Sequence, residues 1–283
     1  MVPRSQRGQV VLQQIADALD RQICHWIRCN DARVVREFPL AWKDRSHALA
    51  PDALDGVQDV QLVVHQNIVI GWIAPFASAQ AGVLSYQSSV EPRMGKVALG
   101  LLERGYSAQK VLIDMAQMDT HWEYRQVGVL DSRGGMAVFT GKNNRQWAGH
   151  RIGSDFIAFG NVVAGEKTID GICDAWESNR TASFDDRLLR AIEGGRDAGG
   201  QVDGQTSAAI KTFGRRGTAR LDLRCDHAME PIAELRRLVD WYMPLVPYYE
   251  ALADDPTVMP RHKEWLKERG FEREFGKPPA HLA

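Results

Sequence analysis

Cysteine is scarce in this sequence: Cys24, Cys29, Cys173 and Cys225 are four residues in a chain of 283. A secreted disulfide framework is much denser, so all four read as reduced thiols. Cys24 and Cys29, with His25 beside them, have neither the spacing nor the second half of a zinc site. Long apolar runs are also missing. The longest, residues 68–79, is too short to span a bilayer and is interrupted by Pro75. The basic start, Met1 to Gln9, is followed by no apolar segment of the kind a secretory signal carries. An excess of one charge is lacking too: 35 Lys and Arg face 36 Asp and Glu, which is not the basic footprint of a nucleic-acid binder. These absences point away from nucleic acid and membrane, toward a cytoplasmic protein with a small-molecule or protein partner. The signatures of serine hydrolases, zincins and P-loop enzymes (G-x-S-x-G, H-E-x-x-H, Walker A) do not occur, nor does C-x-x-C. No metal or cofactor is expected.

What is present is a globular composition, 44% hydrophobic and 25% charged, enough for a large core without covalent staples. Val11, Ile15, Leu19, Ile23 and Trp26 fall at helical spacing within Gln9 to Arg28. Residues 30–56 have no period and read as loop. Strand patterns begin at Val57, with Val60, Leu62 and Val64 alternating. A turn at His65-Gln66-Asn67, a strand over Ile68 to Ile73 and another over Ala81 to Ser85 are expected next. Two helices follow. Pro92 opens the first, whose stripe is Met94, Val97 and Leu101. Ser107 caps the second, whose face is Val111, Leu112 and Met115. Tyr124 to Leu130 and Met136 to Thr140 form a hairpin around Asp131-Ser132-Arg133-Gly134-Gly135, and Phe156 to Phe159 is a further strand. A second helix pair is lined by Val163, Ile169, Ile172 and Trp176, then by Leu188, Leu189 and Ile192, with Ser183 and Asp186 as a capping box. Gly194 to Gly204 reads as a glycine-rich loop. Ser207 to Phe213 and Thr218 to Arg224 make the last hairpin.

Helices that come in pairs cannot each be a crossover between parallel strands. The order therefore predicts an α+β fold of stacked antiparallel sheets with helix pairs outside. Three regions are expected: an N-terminal extension over 1–56, the main domain over 57–250 and a charged helical tail over 251–283. Trp241, Tyr242, Tyr248 and Tyr249 lie in an aromatic run that either packs on its own domain or seats a second copy as a homodimer contact. His262 to Arg273 reads as a solvated helix and Lys277 to Ala283 as a flexible end.

Several polar residues sit where apolar ones would be usual. Arg125 and Gln126 lie inside a strand, and a buried Arg needs a carboxylate or carbonyl partner, either a substrate acid or an internal Asp such as Asp222. Asn161 follows a strand and precedes a helix, which suits a cap more than a pocket amide. Gln87 and Ser207 sit at strand edges, and His150 in a loop where solvation is the ordinary state.

Taken in order, several stretches resemble one family, that of domain of unknown function ten-twenty-eight in the Ntn-hydrolase superfamily. They are Gln87 with Pro92-Arg93-Met94-Gly95, Glu123-Tyr124-Arg125-Gln126, Phe139-Thr140-Gly141, Trp147-Ala148-Gly149-His150, Gly160-Asn161 with Ala164-Gly165, Arg187-Leu188-Leu189, Ser207-Ala208-Ala209, and Leu221-Asp222-Leu223-Arg224. The resemblance implies a four-layer αββα sandwich. It also implies an amide hydrolase whose N-terminal Thr, Ser or Cys attacks a carbonyl while its own α-amine, of pKa about 7.7–8.0, takes the proton. The pocket would be lined by Gln87, Arg125, Gln126, Asn161 and Ser207, with Arg125 holding a carboxylate and the amides polarising a carbonyl. The chain departs from the family where that nucleophile belongs: some 60 unrelated residues come first, and between Ser46 and Ser78 there is no Ser, Thr or Cys. Gln201 and Asp203 also replace an acidic residue and an Arg that relatives often carry. The departure supports an alternative, a non-catalytic binding protein for a small molecule on the same fold.

Overall fold

The structure, a computed structural model, describes residues 60–65, 70–214, 218–257 and 259–271. The expected helix over Gln9 to Arg28, the loop after it, Cys24 and Cys29, the turn at Gln66-Asn67 and the end after Lys277 lie outside these residues. Among the described residues the fold is mixed α and β, with antiparallel sheets and helices packed against them.

A four-stranded sheet runs in the order β2 (Pro75–Ser78), β3 (Gly82–Ser88), β4 (Arg125–Asp131) and β5 (Met136–Thr140). Strand alternation sends Leu84, Tyr86, Val127 and Val129 to one face. There α2 (Pro92–Glu103) and α3 (Ala108–Met118) cover them with Ala98, Leu102, Val111, Leu112 and Met115. Each large apolar side chain buried this way contributes about 1.5–3 kcal/mol. The Ser107 cap forms as expected, its hydroxyl accepting from Lys110 N at 3.2 Å. The stripe of α2 forms in part: Met94 and Leu101 pack at the edge of the cluster, Val97 is exposed, and Gly95, Ala98 and Leu102 are the buried residues, with Phe76 lying where a Cβ on residue 95 would sit. Phe76 belongs to β2, a strand that sequence reading missed. The β4–β5 turn is fastened by Asp131, whose carboxylate accepts from the N–H of Arg133, Gly135 and Ala108.

A three-stranded sheet has β1 (Val60–His65) and β9 (Ala219–Cys225) on either side of β8 (Ser207–Phe213). Ala208 and Ile210 face Leu189 of α5 (Phe184–Asp197) and Leu235 and Val239 of α6 (Pro231–Tyr242). On the other face Ala209 packs on Ile70 and Ala74. The strand expected over Ile68 to Ile73 is instead a single helical turn, α1 (Ile70–Ile73). Gly71 allows it to approach the sheet, since a Cβ there would lie 2.6 Å from Ala209 Cβ.

A two-stranded ribbon, β6 (Gly149–Ile152) and β7 (Ile157–Gly160), lies over the second face of the four-stranded sheet, where Phe159 occupies the space above Gly128. His150 is therefore on a strand, not in a solvated loop. Behind the ribbon α4 (Glu166–Ser178) pairs with α5. Gly194 and Gly195 are inside α5 rather than in a loop. A Cβ on Gly171 would sit 2.5 Å from Gly194 O, so the two glycines let the helix axes come together. Ser183 caps α5 through Asp186 N at 3.4 Å, but the reciprocal half of the box is missing because Asp186 pairs with Arg190 and Arg236. Beyond α6, α7 (Val246–Asp254) and α8 (His262–Glu268) close the chain. The solvated helix expected there instead buries Leu266, and Tyr248 donates to Pro260 O at 3.0 Å.

Candidate functional site

Adjacent residues in a strand face opposite sides, and this separates Arg125 from Gln126. Arg125 points to the helical side. Its Nε donates to Asp119 Oδ2 at 2.8 Å, and a further N–H donates to the Ser89 carbonyl. Asp119 also accepts from Tyr86 Oη at 2.6 Å and from His121 N at 2.8 Å. Burial opposes charge on Asp119, but these bonds outweigh it and hold the carboxyl below its usual range. The internal partner of Arg125 is thus Asp119 and not Asp222, which pairs with Lys211 at 2.8 Å.

Gln126 points the other way and is fully buried. Its Nε2 lies 2.9–3.1 Å from Gly160 O, Gly149 O and Thr140 Oγ1, while its Oε1 accepts from Asn161 Nδ2 at 3.1 Å. One amide therefore ties β4, β5 and both strands of the ribbon. Asn161 is not a helix cap: the residue in that position for α4 is Gly165, which has no side chain to donate or accept. Thr140 Oγ1 is also 2.9 Å from Nδ1 of His150, whose pKa burial pushes below the ordinary histidine value.

Gln87 is the cross-strand neighbour of Gln126 on the same face. Beside it opens a cavity of about 80 Å³. Gln87, Phe159, Gly160 and Asn161 form one wall; the helix pair supplies Thr168, Ile169, Ile172, Ile192 and Arg196; Gln201 and Gln205 close it. The closing segment is held by backbone bonds from Ala164 N to Gly200 O and from Val202 N to Val162 O, each 3.0 Å. Gly200, at φ +59, places its backbone where the Gln205 amide can lie over it. Thr168 is 3% exposed, and its hydroxyl has no hydrogen-bond partner among the described residues. Of the residues expected to form the pocket, Gln87 and Asn161 line this cavity and Gln126 supports Asn161 from behind. Arg125 is on the opposite face of the sheet. Ser207 is fully buried, accepts weakly from Ile70 N at 3.4 Å and does not line the cavity. Sequence reading missed Thr168, Arg196 and Gln205. A second cavity, about 280 Å³, lies between β9 and α6–α7, with one wall at Gly214 and Thr218, next to residues outside the described set. The smaller cavity is walled entirely by described residues.

Among the described residues no group of three or more His, Cys, Asp or Glu could hold a metal ion, and no helix is long and apolar enough to cross a membrane. Cys173 and Cys225 are buried free thiols, with burial pushing both pKa values up.

These features define an α+β protein with antiparallel sheets and a small cavity in which amides, one hydroxyl and one guanidinium meet an isoleucine wall. Residues 61–235 match DUF1028, a family of unknown function, and the chain belongs to that family. A crystal structure of protein SPO2555 from Silicibacter pomeroyi, designated to the same family, is similar with a TM-score of 0.61 and 23% identity, over 65% of this chain and 80% of that one. That likeness is one of fold. No curated protein matches this chain.

Proposed function

We propose that this chain is a small-molecule-binding protein on an Ntn-hydrolase-like αββα sandwich, with no hydrolytic nucleophile on its opening strand. The observation that carries the reading is the cavity: Gln87, Asn161, Thr168 and Arg196 converge on one space that Ile169, Ile172 and Ile192 also line. A few fixed polar groups on an apolar wall are what orient a small ligand. The sequence supports the non-catalytic half, since residues 47–77, which include β1, hold no Ser, Thr or Cys. The test is a panel of small amides and acids screened by thermal shift and by mass spectrometry. Stabilisation without turnover is expected, and a released product would overturn the reading.

One observation favours hydrolysis of a small amide instead. Thr140 Oγ1 lies within hydrogen-bond distance of His150, and the lowered pKa keeps that imidazole neutral and able to accept a proton. Product formation abolished by Thr140→Val would favour this reading over binding alone. A companion proposal is self-association through Trp241 and Tyr249, which are 44% and 45% exposed. Tyr242 stacks on Tyr249, and Tyr248 is buried behind them.

A further inference from the structure

Among the described residues, Arg196 is the single charged one lining the cavity, and no carboxylate lines it. Its Nε donates to Asp197 at 2.8 Å, and Glu193 and Glu230 add to the negative field around it; the terminal nitrogens of a guanidinium form a planar donor edge. Such an edge fits a carboxylate with two parallel hydrogen bonds. The Thr168 hydroxyl is the second observation. It belongs to a residue almost wholly buried, it lines the cavity, and it has no hydrogen-bond partner among the described residues. Buried hydroxyls are almost always bonded, so one left open at a cavity wall calls for a partner from inside the cavity. Thr168 stands in the first turn of α4, whose N-terminus carries partial positive charge and lacks a side-chain cap. The hydroxyl offers a donor to any acceptor, and the guanidinium favours one that bears negative charge, while Glu166 already stands in the first turn of the helix.

The opposite character comes from Val163, Ile169, Ile172 and Ile192. They can bury a hydrocarbon chain and reject a second charge. A volume of about 80 Å³ limits the ligand to a small one.

We propose that the cavity binds a short aliphatic carboxylic acid, its head on Arg196 and the Thr168 hydroxyl and its chain against Ile169, Ile172 and Ile192. This rests on the binding reading above and names the ligand class for that same site.

The test uses the full chain. Isothermal titration with sodium butanoate and sodium pentanoate is compared with butanamide, which has the same heavy-atom count as butanoate but no charge, at matched ionic strength. Saturable binding of the acids is expected, with butanamide at least tenfold weaker. Arg196→Gln and Thr168→Val should each weaken acid binding about tenfold or more. Equal binding of acid and amide, or acid binding unchanged in both variants, would overturn the carboxylate assignment and leave the binding reading standing. Silence from the acids, the amide and the wider panel alike would remove both. The acid–amide comparison needs no variant, so a substitution that failed to fold would not blunt it.

Discussion

Gln126 shows how much one buried side chain can organise. Its N–H groups face three acceptors and its carbonyl faces one donor. Replacing it with Leu keeps the bulk but strands those partners, each worth roughly 1–3 kcal/mol when left unsatisfied. Gln126→Leu should therefore lower stability by at least about 3 kcal/mol, read as a drop in the urea midpoint. Gln126→Glu should be no milder, because a carboxylate donates no hydrogen to the acceptors around it. Asp119 is the corresponding residue on the far side of the sheet. Its folded pKa is depressed, so its contribution is complete above the unfolded carboxyl value near 3.9 and is lost as pH falls through the folded value. Asp119→Asn leaves Arg125 without its counter-charge and should cost about 3 kcal/mol at pH 7. The variant's urea midpoint should also change less than the parent's between pH 4 and pH 2.

At the scale of elements, two glycines in helices make opposite predictions. A Cβ added to Gly100 in α2 would meet nothing within 4 Å, so Gly100→Ala should gain about 1 kcal/mol from helix propensity alone. A Cβ added to Gly171 in α4 would meet Gly194 O at 2.5 Å, so Gly171→Ala must push the helices apart and should lose about 1–3 kcal/mol despite the same propensity gain. Thermal unfolding of the two variants should shift in opposite directions. Elements with local signals were legible in the sequence. The β4–β5 hairpin was marked by alternation and by a turn rich in Asp and Gly, and Ser107 and Ser183 announced their helices. The ribbon strand β6, which begins Gly149-His150-Arg151, and the edge strand β2, which begins at Pro75, were not legible, because neither has the apolar run that marked the equally short β7. Gly194 and Gly195 looked like loop for a similar reason: their role is closeness to another helix, which composition does not encode. In the site, Gln87 and Asn161 stood out as polar residues at strand ends. Arg196 fell within the stretch read as a glycine-rich loop, and Thr168, next to Ile169, carries no local signal of its own. Only packing brings them to one cavity. The placement of Arg125, by contrast, was recoverable: period-two alternation puts it on the opposite face from Gln126.

Across the whole molecule, the two sheets carry separate apolar clusters. One lies under α2 and α3, the other under α5 and α6. The aromatic run after α6 leaves Trp241 and Tyr249 partly exposed at the far end of the second cluster. Sedimentation velocity should show a dimer that Trp241→Ser with Tyr249→Ser converts to a monomer; an unchanged sedimentation coefficient would remove the proposed contact. The cavity has two kinds of wall. Gln87, Phe159, Gly160 and Asn161 belong to a frame bolted together by the Gln126 amide, whereas Ile169, Ile172, Ile192 and Arg196 ride on the paired helices. In the proposed complex the acid's head and its chain would therefore both meet the helix pair, with the frame as the facing wall. Trimming Ile192 would lengthen the hydrocarbon tail that fits without touching the polar end, so members of this family could diverge in chain-length preference by exchanging one aliphatic side chain while the rest of the architecture stayed fixed.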